Sequence, residues 1–310
     1  MRAGDVVSLR VSTPSGPTEV VGTLVAASAE TLSVRRRDGS MVEIRVDSVV
    51  AGRVVPPPES ASVDVADLHR VMASGWRALE QEPLGDWLLR AGGGFTRRAN
   101  SALVVGSPGL PLEAAISRIE RWYAERGLPP RLQVPASETR GLADVLGPRG
   151  WTVATTTHVM TAEAAAVLRA AGEADGAQVQ VDPEPDNEWL AAYRSDAHPL
   201  PAVAREVLTN HPHAGFASLR TRGRCVAVAR VAVDGRWAGL FAVEVDPQHR
   251  RQGLARAVTA GALRWAVERG ARHCYLQVTA DNAEAVALWT RLGFTHHHNY
   301  VYATEGPAEP

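Results

Sequence analysis

The sequence predicts an α/β fold of the α+β kind: a mixed sheet built in tandem, preceded by a small all-β barrel. Three observations predict it. The first 55 residues alternate short strand-like runs with tight-turn residues. From Ala242 onward a strand, a Pro-punctuated turn, a glycine and a long helix follow one another. The order of elements around that helix then occurs a second time, earlier in the chain.

Composition sets the outer bounds. At 310 residues the chain exceeds one typical small domain, and an apolar fraction of 45% with mixed charge suits a globular protein. All 33 basic residues are arginine, so the protein cannot acetylate lysine side chains of its own. With the Ala, Val, Gly and Pro bias, this reads as codon pressure in a GC-rich genome. A net charge of −1 gives no global attraction to nucleic acid or to an anionic membrane. No run approaches the ~20 apolar residues of a membrane span. The start, Met1-Arg2-Ala3-Gly4-Asp5, lacks the apolar stretch of a secretory signal. Cys225 and Cys274 fall in separate apolar strand-like segments and read as buried small hydrophobes in a reducing cytoplasm.

Residues 1–55 carry strand-like runs at Val6–Val11, Val20–Ala27, Thr31–Arg36 and Met41–Val46. Pro14-Ser15-Gly16-Pro17 and Asp38-Gly39 supply turns between them. This unit resembles the Src-homology-type barrels. Arg35-Arg36-Arg37 reads as a solvated hairpin tip, with nucleic-acid contact as the alternative. Pro56-Pro57-Pro58-Glu59-Ser60 is expected to be a semi-rigid linker.

From Val63 to residue 170 the pattern is α/β. Val65, Leu68, Met72, Trp76 and Leu79 form a helical stripe that ends near Pro83. Asp86–Arg90 and Asn100–Val105 predict two strands around Gly92-Gly93-Gly94. A helix over Leu112–Arg126, a strand at Leu132–Val134, a short helix, Gly150-Trp151 and a strand to Met160 follow. Residues 178–303 repeat that order. Arg121–Gly127 aligns with Arg264–Gly270, Leu132-Gln133-Val134 with Leu276-Gln277-Val278, and Gly150-Trp151 with Gly293-Phe294. These matches predict an internal duplication whose junction lies in Gly172–Asn187.

In the second copy a helix runs from Leu254 to Arg269 and ends at Gly270, and Cys274–Val278 is a strand. Asp281 is placed to cap a helix with Glu284 as its reciprocal partner. Ala285, Leu288, Trp289 and Leu292 form one buried stripe, and His297–Tyr302 is the last strand. The string V-x-V-x-P-x-x-R-R-x-G-L-A from Val243, followed by N-x-x-A-x-x-L-W-x-x-x-G-F from Asn282, resembles the GNAT superfamily of acetyl-CoA-dependent N-acetyltransferases.

The residues give that resemblance a physical basis. The loop before Leu254 aims unpaired N–H groups and the positive end of a helix dipole at one spot, with arginines beside it. The resemblance implies that backbone groups of Val243 and Val245 pair with the pantetheine arm like an added strand. It implies too that Arg250, Arg251, Gln252, Gly253, Leu254, Ala255 and Arg256 surround the pyrophosphate. Gly253 would permit close approach. The first copy has Gly106-Ser107-Pro108-Gly109-Leu110-Pro111 at the equivalent place, without arginine and with two prolines that lack N–H donors. One acetyl-CoA site is therefore expected, in the second copy.

Asn282 matches the family asparagine that contacts the cofactor; a plain helix-start residue is the alternative. Trp289 stands where many members carry a proton-donating tyrosine, and indole cannot serve as that acid; it walls the cofactor or belongs to the core. Gln277 stands where relatives that acetylate ribosomal-protein N-termini carry a basic glutamate. Glu244 is the nearest candidate base, acting through a water chain if burial raises its pKa; a partly exposed strand glutamate is the alternative. Trp87, Arg90, Arg97, Arg98 and Asn100, with Tyr300 and Tyr302, are the substrate-side candidates. Such arginines suit a carboxylate or phosphate, and solvated strand faces are the bland alternative. His296-His297-His298 predicts no metal site, because strand neighbours point to opposite faces.

The expected function is transfer of acetyl from acetyl-CoA to a primary amine of a small molecule. A protein lysine or N-terminal acetyltransferase, with the barrel recruiting its target, is the competing enzyme. An acyl-CoA-sensing module without turnover is the non-enzymatic reading.

Overall fold

Alternating apolar and polar residues shape the first 54 residues into strands: β1 (Val6–Thr13), β2 (Gly16–Ala27), β3 (Thr31–Arg35), β4 (Met41–Arg45) and β5 (Val49–Val54). They pair antiparallel in the order β4-β3-β2-β1-β5. Val7, Leu9, Val20, Leu24, Val34 and Ile44 make their core. Sequence reading missed β5, whose residues are nearly all exposed and so carry no alternation. Among the described residues no ladder joins β4 to β5, so the pairing is that of an open sheet.

This computed structural model describes residues 1, 5–14, 16–36, 40–54, 63–154, 156–172, 178–193 and 200–306. The Asp38-Gly39 turn, Arg37, the Pro56–Ser60 linker and part of the Gly172–Asn187 junction lie outside them. The chain divides into two compact units, Met1–Ser62 and Val63–Pro310.

The second unit opens with α1 (Val65–Gly75), whose N-cap Asp64 accepts from the N–H groups of Ala66 and Asp67. The helical stripe was expected to reach Leu79 and Pro83. Instead α1 stops at Gly75 and Glu80–Leu84 forms β6, since proline can hold an edge strand but not a helix interior. There follow β7 (Trp87–Ala91), β8 (Ala102–Leu103), α2 (Leu112–Ala124), β9 (Arg131–Pro135) and α3 (Leu142–Leu146). The strand expected to run to Met160 is two strands, β10 (Trp151–Val153) and β11 (Thr157–Glu163). Next come α4 (Ala164–Ala171), β12 (Val179–Asp182), α5 (Asn187–Ala192), α6 (Ala204–Thr209), β13 (Ala214–Thr221), β14 (Arg224–Asp234) and β15 (Trp237–Val245). The chain finishes with α7 (Leu254–Val267), β16 (His273–Thr279), α8 (Ala283–Arg291) and β17 (Thr295–Glu305).

These strands form one mixed sheet, β12-β13-β14-β15-β16-β11-β17-β9-β8-β7-β6, with β10 paired to β17. Its two parallel contacts, β15 with β16 and β8 with β9, lie one on each side of the centre. The order is symmetric in role. Each half sends its last long strand across, so β11 pairs with β16 and β17 pairs with β9. The expected domains 63–170 and 178–303 are therefore interlocked within one compact unit.

The two halves also match in atomic detail. Arg126 lies 3.7 Å over the Trp122 ring and donates to the Trp122 carbonyl at 2.9 Å. Arg269 lies 3.8 Å over Trp265 and donates to its carbonyl at 3.1 Å. Both helices end through the same set of main-chain bonds, Leu128 to Tyr123 in one and Ala271 to Ala266 in the other. Such correspondence supports the duplication.

Candidate active site

Strand β15 pairs with β16 only through Trp237↔His273, Ala238↔Cys274 and Gly239↔Tyr275. Beyond Gly239 the ladder between them ends. The parting coincides with a bulge on the other edge of β15, where the register to β14 shifts between Val228 and Arg230. Ala242 carries the bulge at φ +50°, a left-handed conformation rare for alanine. No sequence signal marks it. As a result Val243 and Val245 pack toward the core beneath α7, while Glu244 sits opposite Val228 on the other face. Val228, Phe241 and Tyr275 share that other face with α1, α5 and α6.

The loop after β15 is built by its own residues. Asp246 accepts from Gln248 N–H at 2.8 Å and lies 3.4 Å from His249. Arg251 at φ +63° and Gly253 at φ +78° turn the chain into α7. Gly253 is the N-cap and offers no side-chain acceptor. The N–H of Ala257 bonds back to the Gly253 carbonyl at 3.0 Å, so those of Leu254, Ala255 and Arg256 lack intrahelical partners. A side chain at Gly253 would meet only the Arg256 guanidinium, 3.8 Å away. Glycine is thus required here by backbone conformation, since the space around it is open; the expectation of close approach is supplemented by this φ requirement. Arg250, Arg251 and Gln252 are exposed around the turn.

A diphosphate ester of coenzyme A fits this arrangement. Three uncapped N–H donors, a helix dipole and exposed arginines converge. The first half lacks that cradle for a visible reason. There Ser107 N–H donates to Asp86 Oδ2 at 3.0 Å, and Asp86 N–H donates to the Ser107 carbonyl at 2.7 Å. The half's own carboxylate fills the niche. Val104 N–H also bonds the Gln133 carbonyl at 3.0 Å, so β8 stays closed against β9.

Asn282, and not Asp281, caps α8: its Oδ1 accepts from Ala285 N–H at 3.0 Å. Trp289 is buried edge-to-face against Phe294 at 5.8 Å, a core position.

The substrate-side candidates separate into two groups. Trp87, Arg90 and Asn100 are buried and saturated, which corrects their assignment to a pocket lining. Trp87 donates to the Gly106 carbonyl at 3.1 Å. Asn100 accepts from Gly92 and Gly94 N–H and donates to the carbonyls of Phe95 and Thr96, each at 2.9 Å. Arg90 donates to Ser101 and to Gln133 Oε1 at 2.7 Å. Tyr300 and Tyr302 are buried too; Tyr300 donates to Gln277 Oε1 at 2.7 Å, and burial raises its pKa well above the usual range. Arg97 and Arg98 are half-buried, and the Arg98 guanidinium lies 5.2 Å from the Trp76 ring and 5.5 Å from that of Phe241.

Arg90 also begins a hydrogen-bond chain. Gln133 Nε2 lies 3.3 Å from His69 Nδ1, His69 Nε2 is 2.8 Å from His298 Nε2, and His298 Nδ1 is 2.8 Å from His297 Nδ1. His297 Nε2 reaches the Val63 carbonyl at 3.0 Å. Arginine only donates, so direction propagates and fixes each imidazole as one neutral tautomer. The adjacent rings of His297 and His298 meet, contrary to the expected alternation. Strand β17 is bulged there, with Val159 opposite His298 and Met160 opposite His296. The described residues form no cluster of three metal-ligating side chains.

Sequence reading missed Arg230, the fully buried centre of β14. It donates to the Leu208 carbonyl at 2.7 Å and the Gly75 carbonyl at 2.8 Å. A single charge inside Cys225–Val233, otherwise wholly apolar, was the available signal.

Comparison with known proteins agrees with this geometry. Residues 62–303 match the family model described as "Probable histone acetyltransferase Rv0428c C-terminal". The chain is 33% identical to "Probable histone acetyltransferase Rv0428c" of Mycobacterium tuberculosis over 96% of its own length and 94% of that protein. It is 27% identical to "Uncharacterized N-acetyltransferase YobR" of Bacillus subtilis, across 76% of this chain and 98% of the relative. Its fold is similar to that of a GCN5-related N-acetyltransferase from Kribbella flavida, with a TM-score of 0.58 at 22% identity, covering 80% of this chain and 96% of that one. With β15 splayed from β16 above an uncapped α7, the chain belongs to the GNAT family of N-acetyltransferases.

Proposed function

We propose that this protein transfers acetyl from acetyl-CoA to the primary amine of a small molecule, by direct attack in a ternary complex in the cytoplasm. The parting of β15 from β16 directly before the uncapped start of α7 carries the reading. Acetyl-CoA supplies an activated acyl thioester. The backbone of Val243 and Val245 would align its arm, and the N–H groups of Leu254, Ala255 and Arg256 with the loop arginines would hold its diphosphate. Glu244, on the face shared with Phe241, is the group proposed to draw a proton from the amine through water. Gln277 accepts from Tyr300 and cannot take that role.

A protein substrate is the rival reading, favoured by the name of the M. tuberculosis relative. Screening amines with free-thiol detection separates the readings. Small-amine transfer predicts thiol release with a small amine and retained activity without residues 1–54. A protein-directed enzyme predicts release only with peptides and a loss on truncation. Tight coenzyme A binding without turnover on any amine would leave a sensor. Glu244→Gln should flatten the acidic, rising limb of the pH–rate profile, where a carboxylate base loses its charge; an unaltered profile removes Glu244 from the chemistry.

A further inference from the structure

Around Phe241, the last buried residue of β15 before the left-handed Ala242, two guanidinium groups gather, and among the described residues neither forms an ion pair with a carboxylate. Arg230 is fully buried, stacks 4.9 Å from Trp76 and 5.3 Å from Phe241, and leaves its Nη2 with no hydrogen-bond partner. Arg98 lies against the same two rings. Burial lowers the pKa of both Arg90 and Arg230, and the charge of Arg98 lowers them further. Among the described residues no carboxylate pairs with Arg98. Burying cations is costly; two carbonyls offset part of that cost for Arg230, and among the described residues no carboxylate offsets the rest.

The loop that presents Arg98 is held by strain and bonding. Gly93 and Gly94 are left-handed, and so is Thr96 at φ +63°, a true outlier for a β-branched residue. Four bonds from Asn100 fix the loop, and Trp76 Nε1 donates to Thr96 Oγ1 at 3.0 Å. A backbone kept in so unfavourable a conformation holds Arg98 against the rings of Trp76 and Phe241.

We propose that Arg98, backed by Arg230, reads the acceptor: the amine substrate also carries an anion, a carboxylate or a phosphate, that docks on this guanidinium. The planar fork of arginine suits either group. The reading rests on acetyl transfer only for the fate of the amine; the anion site stands on its own geometry. A strongly basic peptide is repelled by the same cluster.

The test titrates the full-length protein, saturated with coenzyme A, with β-alanine, O-phosphoethanolamine and putrescine, followed by calorimetry and by turnover. Binding of β-alanine or O-phosphoethanolamine, weakened roughly tenfold to a hundredfold in Arg98→Gln and partly restored in Arg98→Lys, is expected. The stronger of the two ligands identifies carboxylate or phosphate. In turnover the same change should appear in KM for the anionic amine, with KM for acetyl-CoA unaltered. Absence of anion binding, preference for putrescine, or equal affinity in a folded Arg98→Gln protein overturns the proposal. Anion binding without thiol release would instead sink the acetyl-transfer reading and leave the anion site standing.

Discussion

Gly253 and Arg251 form a left-handed pair, at φ +78° and +63°, that turns successive N–H groups toward one side of the loop. Holding a residue with a Cβ in that region costs about 1–2 kcal/mol, and a β-branched side chain costs more. Gly253→Val should therefore weaken coenzyme A binding at least about tenfold by calorimetry, since roughly 1.4 kcal/mol corresponds to that factor. Gly253→Ala should fall between the variant and the native protein. A folded Gly253→Val protein with native affinity would show that the diphosphate is held elsewhere.

Helix α8 is exposed to a single change, since its nine residues depend on one capping side chain. Asn282→Ala should lower stability by ~1 kcal/mol, visible as a reduced urea midpoint. Asp281→Ala should leave that midpoint unchanged, because the Asp281 side chain does not cap. Asn282→Asp separates two roles at one position. It preserves the cap and removes the amide, so stability should hold while any contact of that amide with coenzyme A is lost. Equal destabilisation by Asn282→Asp and Asn282→Ala would contradict the capping geometry.

At the scale of the whole molecule, exchange of β11 and β17 makes the second unit cooperative. A fragment of residues 178–306 lacks β9, β10 and β11, exposing one edge of β16 and both edges of β17. Such edges pair with other chains, so this fragment should aggregate where residues 63–306 remain soluble in gel filtration. The histidine chain adds a pH dependence. Burial pushes His298 down to about 4 and His69 well below its ordinary value, while burial and then the charge of Arg230 bring His211 to about 4. Between about pH 6.5 and 4 the unfolded chain binds more protons than the folded one, so stability falls as pH drops through that window. Urea midpoints should be level above pH 7 and decline steadily toward pH 4.5. A flat profile would mean that these imidazoles bind protons equally in the folded and the unfolded chain.

The sequence by itself determined the end of β15 and the run α7, β16 and α8, because helical period and the R-R-x-G-L-A loop are local; it set the α8 cap one residue early and gave no bounds for β12, β13, α5 or α6. The likeness of Arg121–Gly127 to Arg264–Gly270 was legible too, because both segments solve the same helix-ending problem with the same residues. Local pattern was silent on β5 and β6, an exposed strand and a proline-bearing edge strand. Only tertiary structure decided which half each central strand joins, that Arg90 and Asn100 are internal braces, and that Arg98 and Arg230 share one aromatic pair. The physical reason is range: a cap or a turn is settled by neighbours a few residues away, whereas burial of a charge is settled by whichever distant strand folds over it.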